Sequence, residues 1–295
     1  MSDFRLKVFQ SVAKNLSFTK ASQELFVSQP AITKHIQELE ATYQTRLFDR
    51  QGSKISLTES GRLLLEHCER ILEDYKRLEY EMHLLHNEYI GELKLGASTT
   101  IAQYVLPPLL GSFIGKFPQV NLSLLNGNSR EIEAALQEHR IDLGLVEGVF
   151  RLPNLKYTTF LEDELVAVVH SKSRLQLPED ITPQDSLAIP LVLRERGSGT
   201  LDVIERSLQK HGVKLSSLHV LMYLGSTESI KLFLENSDCM GIVSIRSICK
   251  ELAAGTFRVV EIKDMPMLRD FCFVQLQGQE GGLSQAFMNY MFMSR

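Results

Sequence analysis

Hydrogen-bonding side chains gather near the N-terminus, in the stretch "FTKASQELFVSQPAITKHIQELE". A helix that begins at Ser28 would display on its first turns Ser28, Gln29, Pro30, Thr33 and Lys34. Glutamine pairs with adenine through two hydrogen bonds, threonine offers a hydroxyl and a methyl group, and lysine reaches guanine or phosphate. A helix whose N-terminal residues enter the DNA major groove would use such side chains. An ordinary solvated helix face carries the same residue types.

Two further stretches bring hydroxyl groups to the junction between a predicted strand and a predicted helix. The first supplies Ser98, Thr99 and Thr100, and the second supplies Arg194, Ser198, Gly199 and Thr200. Because a helix N-terminus carries partial positive charge and unpaired N–H groups, two such ends facing one cleft would bind a small anion. Local helix capping explains the same residues. The negative charge of Glu147 would oppose a simple anion and favour a ligand with an amino or hydroxyl group. This holds unless the side chain turns away from the cleft or pairs with an arginine.

The remaining residues argue against several classes of protein. The sequence has no G-x-S-x-G, no H-E-x-x-H, no P-loop and no dinucleotide-binding glycine fingerprint, so we predict no catalytic residues. The eight histidines are dispersed and the four cysteines lack zinc-like spacing, so we predict neither a metal site nor a cofactor. Cys239 and Cys249 lie close in sequence, but the pattern around them favours inert thiols over a peroxide-sensing pair.

Charge and hydropathy suggest where the chain works. The sequence starts without a basic and then apolar leader and has no apolar run of about 18 residues, so we expect a cytoplasmic protein with no membrane partner. The net charge is −4, but residues 1–60 carry eight Lys and Arg against six Asp and Glu. The N-terminal end is therefore the mildly basic one.

Short helices and a hairpin must position the first stretch. Apolar residues at i, i+3 and i+4 predict an amphipathic helix over residues 4–14, and a second helix should end near Leu25. Pro30 suits the first turn of the third helix, where its missing N–H is not needed. "LFDRQGSKISLTESG" then predicts a hairpin in which Arg50 and Lys54 would meet the DNA backbone.

One long helical pattern follows, from Thr58 to Tyr89. Its apolar residues recur in heptads, with one series at Leu64, Ile71, Leu78 and Leu85 and the other at Cys68, Tyr75, Met82 and Tyr89. Heptads of this kind are typical of coiled coils, so we predict self-association through this helix. The alternative is a single helix packed on the chain's own core.

From residue 91 onward, predicted strands alternate with predicted helices. This alternation indicates α/β folding with mostly parallel sheets. The region is long enough for two subdomains.

The residues from Val8 to Arg50 resemble the winged helix-turn-helix of LysR-type transcriptional regulators. The shared pattern comprises Ala13, Ser17, Phe18, Ala21, Leu25, Ser28, Gln29, Pro30, Ile36, Leu39, Glu40, Leu47, Phe48 and Arg50, and "LTESG" matches the start of that family's linker helix. The resemblance implies a DNA-binding domain over 1–60, a dimerisation helix over 58–90, and two Rossmann-like, periplasmic-binding-protein-like effector subdomains. Their limits would be 91–162 plus 266–295 for subdomain I and 163–265 for subdomain II.

Family membership also implies function and partners. It implies a regulator of transcription that binds operator DNA as a dimer, usually assembled into a tetramer, and senses a small molecule between its subdomains. The two hydroxyl-rich stretches resemble those of the CysL-like branch, which suggests a small oxyanion such as sulfite or sulfate, or a small organic acid. The alternative from another class is an intracellular α/β enzyme or solute-binding protein with an N-terminal interaction module.

Overall fold

The computed structural model describes residues 4–51, 54–84, 89–278 and 281–294. The chain divides into two compact units, Met1–Glu88 and Tyr89–Arg295. Each unit has hydrophobic core residues of its own. None of the helices in the described ranges combines the length and the apolar character that crossing a bilayer requires.

The first unit is helical, with one hairpin. Its elements are α1 (Phe4–Asn15), α2 (Phe18–Glu24), α3 (Gln29–Tyr43), β1 (Phe48–Gln51), β2 (Lys54–Leu57) and α4 (Glu59–Leu84). Hydroxyl caps set the starts of two helices, because Ser17 Oγ accepts from Lys20 N at 3.2 Å and Ser28 Oγ accepts from Ala31 N at 3.4 Å. The predicted helices and hairpin are confirmed.

α4 has two different faces along its 26 residues. Cys68 and Leu72 are buried in the core formed by α1, α2 and α3, and Leu64 packs partly buried against it. Ile71, Leu78 and Met82 are exposed, as is Leu63. The heptad pattern therefore serves the unit's own core at its start and leaves apolar side chains uncovered further along.

The second unit contains ten strands and seven helices among its described residues. In chain order they are β3 (Gly91–Ser98), α5 (Thr99–Tyr104), α6 (Leu106–Lys116), β4 (Val120–Gly127), α7 (Ser129–Gln137), β5 (Leu143–Glu147), β6 (Leu155–His170), β7 (Asp180–Ile181), β8 (Leu191–Arg194), α8 (Gly199–Lys210), β9 (Val220–Leu224), α9 (Thr227–Glu235), β10 (Met240–Ser244), α10 (Cys249–Ala253), β11 (Phe257–Ile262), β12 (Met267–Leu276) and α11 (Gly282–Met293).

The strands form one continuous sheet with two parallel ends. Along its main path the order is β4-β3-β5-β12-β6-β10-β8-β9. β3 is parallel to β4 and β5, and β8 is parallel to β9 and β10. Between these ends, β12 runs antiparallel to both β5 and β6, and β10 runs antiparallel to β6. The prediction of mostly parallel strands thus holds for the two ends but is wrong for the middle.

Two main cores divide this unit into two parts. One core gathers apolar residues of β3, α5, α6 and α11, and the other gathers those of β8, α8 and β10. We call these parts subdomain I and subdomain II. β6 and β12 run through both, with Phe160 and Phe271 in the first core and Leu165 and Met267 in the second.

Candidate functional site

The N-terminal edge of α3 presents polar side chains to solvent. Ser28, Gln29 and Pro30 are exposed, and the Lys34 side chain is 77% exposed with its Nζ 4.0 Å from Glu38 Oε1. Thr33 is half-buried, and its hydroxyl donates to Gln29 O at 3.1 Å. The opposite face of α3 is anchored in the core by Ile32, Ile36 and Leu39. The helix is therefore fixed on one side and free to contact another molecule on the other.

The hairpin beside this helix has a regular register. Arg50 pairs with Ile55 and Gln51 pairs with Lys54 across the two strands. The side chains of Arg50 and Lys54 lie outside the described part of the chain. Of the residues predicted for dimerisation, Leu85 lies outside it as well, and Tyr75 is half-buried on α4.

In the second unit, the predicted effector residues come together where the two subdomains meet. Seven of the eight have buried side chains, namely Ser98, Thr99, Thr100, Glu147, Arg194, Ser198 and Thr200. The eighth, Gly199, brings two backbones close: a Cβ built on it would lie 1.9 Å from Glu147 O. The subdomains are thus in direct contact at this place.

Two hydroxyl groups of the first stretch, those of Ser98 and Thr99, are engaged in internal hydrogen bonds. Ser98 donates to the Glu147 carboxylate. Thr99 Oγ1 donates to Gly127 O at 3.2 Å and accepts from Arg194 Nη2 at 3.3 Å, which links the subdomains. On the other side, Ser198 caps α8.

Arg194 is a buried cation of the cleft that retains an unpaired donor. Only 1% of the residue is exposed. Its Nε donates to Glu195 at 2.8 Å and its Nη2 donates to Glu195 at 3.0 Å and to Gly225 O at 3.3 Å. Nη1 is buried and has no hydrogen-bond partner. A buried donor without a partner is costly, which makes this group suited to an acceptor from outside.

A buried ion-pair network that the sequence analysis missed includes two of the predicted effector residues, Glu147 and Thr200. Arg269 Nε donates to Asp163 Oδ2 at 2.8 Å. Its Nη1 donates to Thr200 Oγ1 at 2.9 Å and lies 3.5 Å from Glu147 Oε1. Asp163 also accepts from Ser244 at 2.7 Å. Arg269 therefore offsets the charge of Glu147, the residue expected to oppose an anion. The available signal was a charged residue inside an apolar strand, as in "MLRDFCFV".

The second unit also holds a further contact between the subdomains and a cavity. Tyr104 of α5 donates to Glu228 of α9, and burial together with this carboxylate raises the Tyr104 pKa far above its ordinary value. A cavity of about 450 Å³ is lined by Thr159–Glu162 of β6 and by Arg246. Arg246 Nε lies 3.5 Å from Asp163, so the cavity opens beside the ion-pair network.

Comparisons with known proteins match both units. The model of the bacterial regulatory helix-turn-helix proteins of the lysR family matches residues 4–62, and that of the LysR substrate binding domain matches residues 86–292. The HTH-type transcriptional regulator CysL of Bacillus subtilis is 29% identical over 91% of this chain and 89% of its own. A probable RuBisCO transcriptional regulator of Cyanidioschyzon merolae is 32% identical over 90% of this chain and 88% of its own.

A solved structure matches the second unit. The regulatory domain of CcmR from Synechocystis PCC6803, in complex with 2-PG, is 27% identical, with a TM-score of 0.62. The match covers 69% of this chain and 97% of the CcmR domain.

Proposed function

This chain belongs to the LysR family of transcriptional regulators, and on that premise we propose that the N-terminal edge of α3 lies in the major groove of operator DNA. The protein is a DNA-binding regulator with a domain for a small-molecule effector. The observation that carries the groove placement is the exposed row from Ser28 to Lys34 on a helix whose other face is buried. Arg50 and Lys54 would contact phosphates, which position the protein without specifying sequence.

Binding of Gln29→Ala to DNA tests this placement. Because Gln29 would read one base in each half-site, the variant should lose preference at that position and about 1–3 kcal/mol of binding free energy. Arg50→Ala is the matched control: it should weaken binding to all sequences alike and reduce the dependence on salt. Footprinting and gel shifts with the DNA upstream of the protein's own gene measure the base preference and the affinity of each variant. An intact base preference in Gln29→Ala would contradict the placement.

We further propose that two copies pair through the exposed stripe of α4. The stripe exposes apolar side chains to water, and a second helix would cover them. Its members are Leu63, Ile71, Leu78 and Met82. The 26 residues of α4 span about 39 Å, comparable to the roughly 34 Å between half-sites one turn apart. The pair would therefore offer two α3 edges to neighbouring turns of one operator.

Two further apolar surfaces support assembly beyond the dimer. The edge strands of the sheet expose large side chains at both ends, Leu124 and Leu125 on β4 and Leu221, Met222 and Tyr223 on β9. Exposed apolar edge strands favour association. We therefore favour a tetramer of this chain, which works on DNA in the cytoplasm.

The proposed effector is a small oxyanion or organic acid bound between subdomain I (91–162 plus 266–295) and subdomain II (163–265). The unpaired Nη1 of Arg194 supports an anionic ligand, as do the nearby N-termini of α5 and α8. The CcmR domain, a relative of this unit, was solved with 2-PG. We assign this chain no catalytic activity, in line with the regulators it resembles.

Calorimetry of the full chain with sulfite, sulfate and small carboxylates tests the effector class. Arg194→Met should abolish the heat of binding, because it removes the unpaired donor. Arg140→Met is the matched control, since this exposed arginine pairs with Glu138 just beyond the C-terminal end of α7. No heat with any of these anions would remove the effector proposal and leave the DNA proposal standing.

A further inference from the structure

Among the described residues of the first unit, Phe26 is the most exposed large apolar side chain, at 95%. It lies in the turn between α2 and α3, and its neighbours Leu25 and Val27 both pack partly buried against the core. The alternation turns Phe26 outward. The core of the unit therefore does not account for an aromatic ring at this position.

The turn does not account for it either. Val27 N donates to Ser22 O at 3.1 Å, which closes the end of α2 and places Phe26 in the left-handed conformation, with φ 55°. This position after a helix is the one that glycine or asparagine fills with least strain. A phenylalanine is thus unfavourable in both conformation and exposure, which points to a contact outside the chain.

The surroundings of Phe26 indicate what that contact is. Ser28, the cap of α3, is two residues away, so Phe26 lies within about 7 Å of the polar edge that begins there. Its exposed neighbours Ser28, Gln29 and Pro30 form no wide apolar patch of the kind that a protein partner needs. In a major groove, by contrast, isolated apolar groups are available as thymine methyls, and deoxyribose rings line the walls.

We propose that Phe26 is a DNA-contact residue that packs its ring on an apolar group of the operator, beside the α3 edge. This proposal rests on the placement of α3 in the major groove. The turn before α3 would then add an apolar contact to the DNA affinity, which the hydrogen-bonding residues of α3 cannot supply.

The variant Phe26→Asn separates this role from folding. Asparagine tolerates the left-handed conformation, so the full chain should melt at the same or a higher temperature. Binding to the duplex upstream of its own gene should weaken by at least about tenfold, the loss expected when a phenylalanine contact is removed. The matched control is Tyr43→Asn, which removes another exposed aromatic ring at the far end of α3, about 20 Å away, and should bind as the parent does.

A duplex in which deoxyuridine replaces thymine identifies the group contacted. If Phe26 packs on a thymine methyl, the parent binds the deoxyuridine duplex more weakly than the thymine duplex. Phe26→Asn then shows no such difference between the two duplexes. If it packs on deoxyribose, the variant is weakened equally on both duplexes. Parental affinity of Phe26→Asn, or an equal loss in Tyr43→Asn, overturns the proposal. If Gln29→Ala still lowers affinity in that case, the groove placement survives; if neither variant changes binding, the placement fails too.

Discussion

Replacing Gly199 by alanine should force the two subdomains apart at the predicted effector site. The added Cβ would lie 1.9 Å from Glu147 O and 2.5 Å from Glu147 C. Both are backbone atoms, so no side-chain rotation relieves the clash. Since Cβ contacts below 3.0 Å are essentially never seen, the two backbones must separate by roughly 1.1 Å.

The cost of this separation can be estimated from the contacts beside it. Thr200, the next residue, accepts from Arg269 at 2.9 Å, and a hydrogen bond to a charged group contributes about 1.5–3 kcal/mol. Overpacking adds about 1–3 kcal/mol. Together these two costs come to about 2.5–6 kcal/mol, which should lower the Tm of a unit of this size by on the order of 10 °C.

Differential scanning calorimetry of the full chain measures the change. Gly111→Ala is the matched control, because Gly111 lies exposed on α6 with nothing within 4 Å of a built Cβ. That substitution should stabilise the helix by up to about 1 kcal/mol. A Gly199→Ala protein that melts as high as Gly111→Ala would refute the reasoning, since it would mean that the Glu147 contact does not hold the subdomains together.

Two other predictions concern the first unit and the thiols. The double variant Leu78→Glu and Ile71→Glu places charges on the exposed apolar stripe of α4. It should sediment at about half the mass of the parent, with an unchanged far-UV circular dichroism spectrum. A sedimentation coefficient equal to the parent's would count against pairing through the α4 stripe. At pH 8 a thiol reagent should modify exposed Cys249 quickly and Cys68 slowly, since burial raises the Cys68 pKa to about 12 and keeps it protonated; equal rates for Cys68→Ser and Cys249→Ser proteins would contradict this.

The elements of the first unit could be predicted from the sequence because their signals are local. Ser17 and Ser28 cap helices through backbone groups only three residues away. The heptads of α4 were less informative, since the pattern alone does not distinguish a partner helix from the chain's own core. Cys68 is buried within its own unit, whereas Leu78 is exposed.

The middle of the sheet was harder to predict because its stability depends on distant residues. β6 runs for 16 residues from Leu155 to His170 and carries the charged residues Glu162 and Asp163 in its middle. The buried charge of Asp163 is compensated by residues far along the chain, above all by Arg269, which is 106 positions away. The effector residues were predicted as open ligand donors for the same reason: their internal partners come from other elements.

Because most of those donors already bind internal partners, effector binding must be an exchange. Ser98 donates to Glu147, and Thr200 is held by Arg269. An anion that replaced such bonds by its own would gain little net free energy from them. The net gain must come mainly from Arg194 Nη1, which has no partner to lose. Since the Thr200–Arg269 bond joins the subdomains, effector affinity and subdomain separation are thermodynamically linked. Any substitution that loosens this contact should therefore change effector affinity even where it touches no ligand atom.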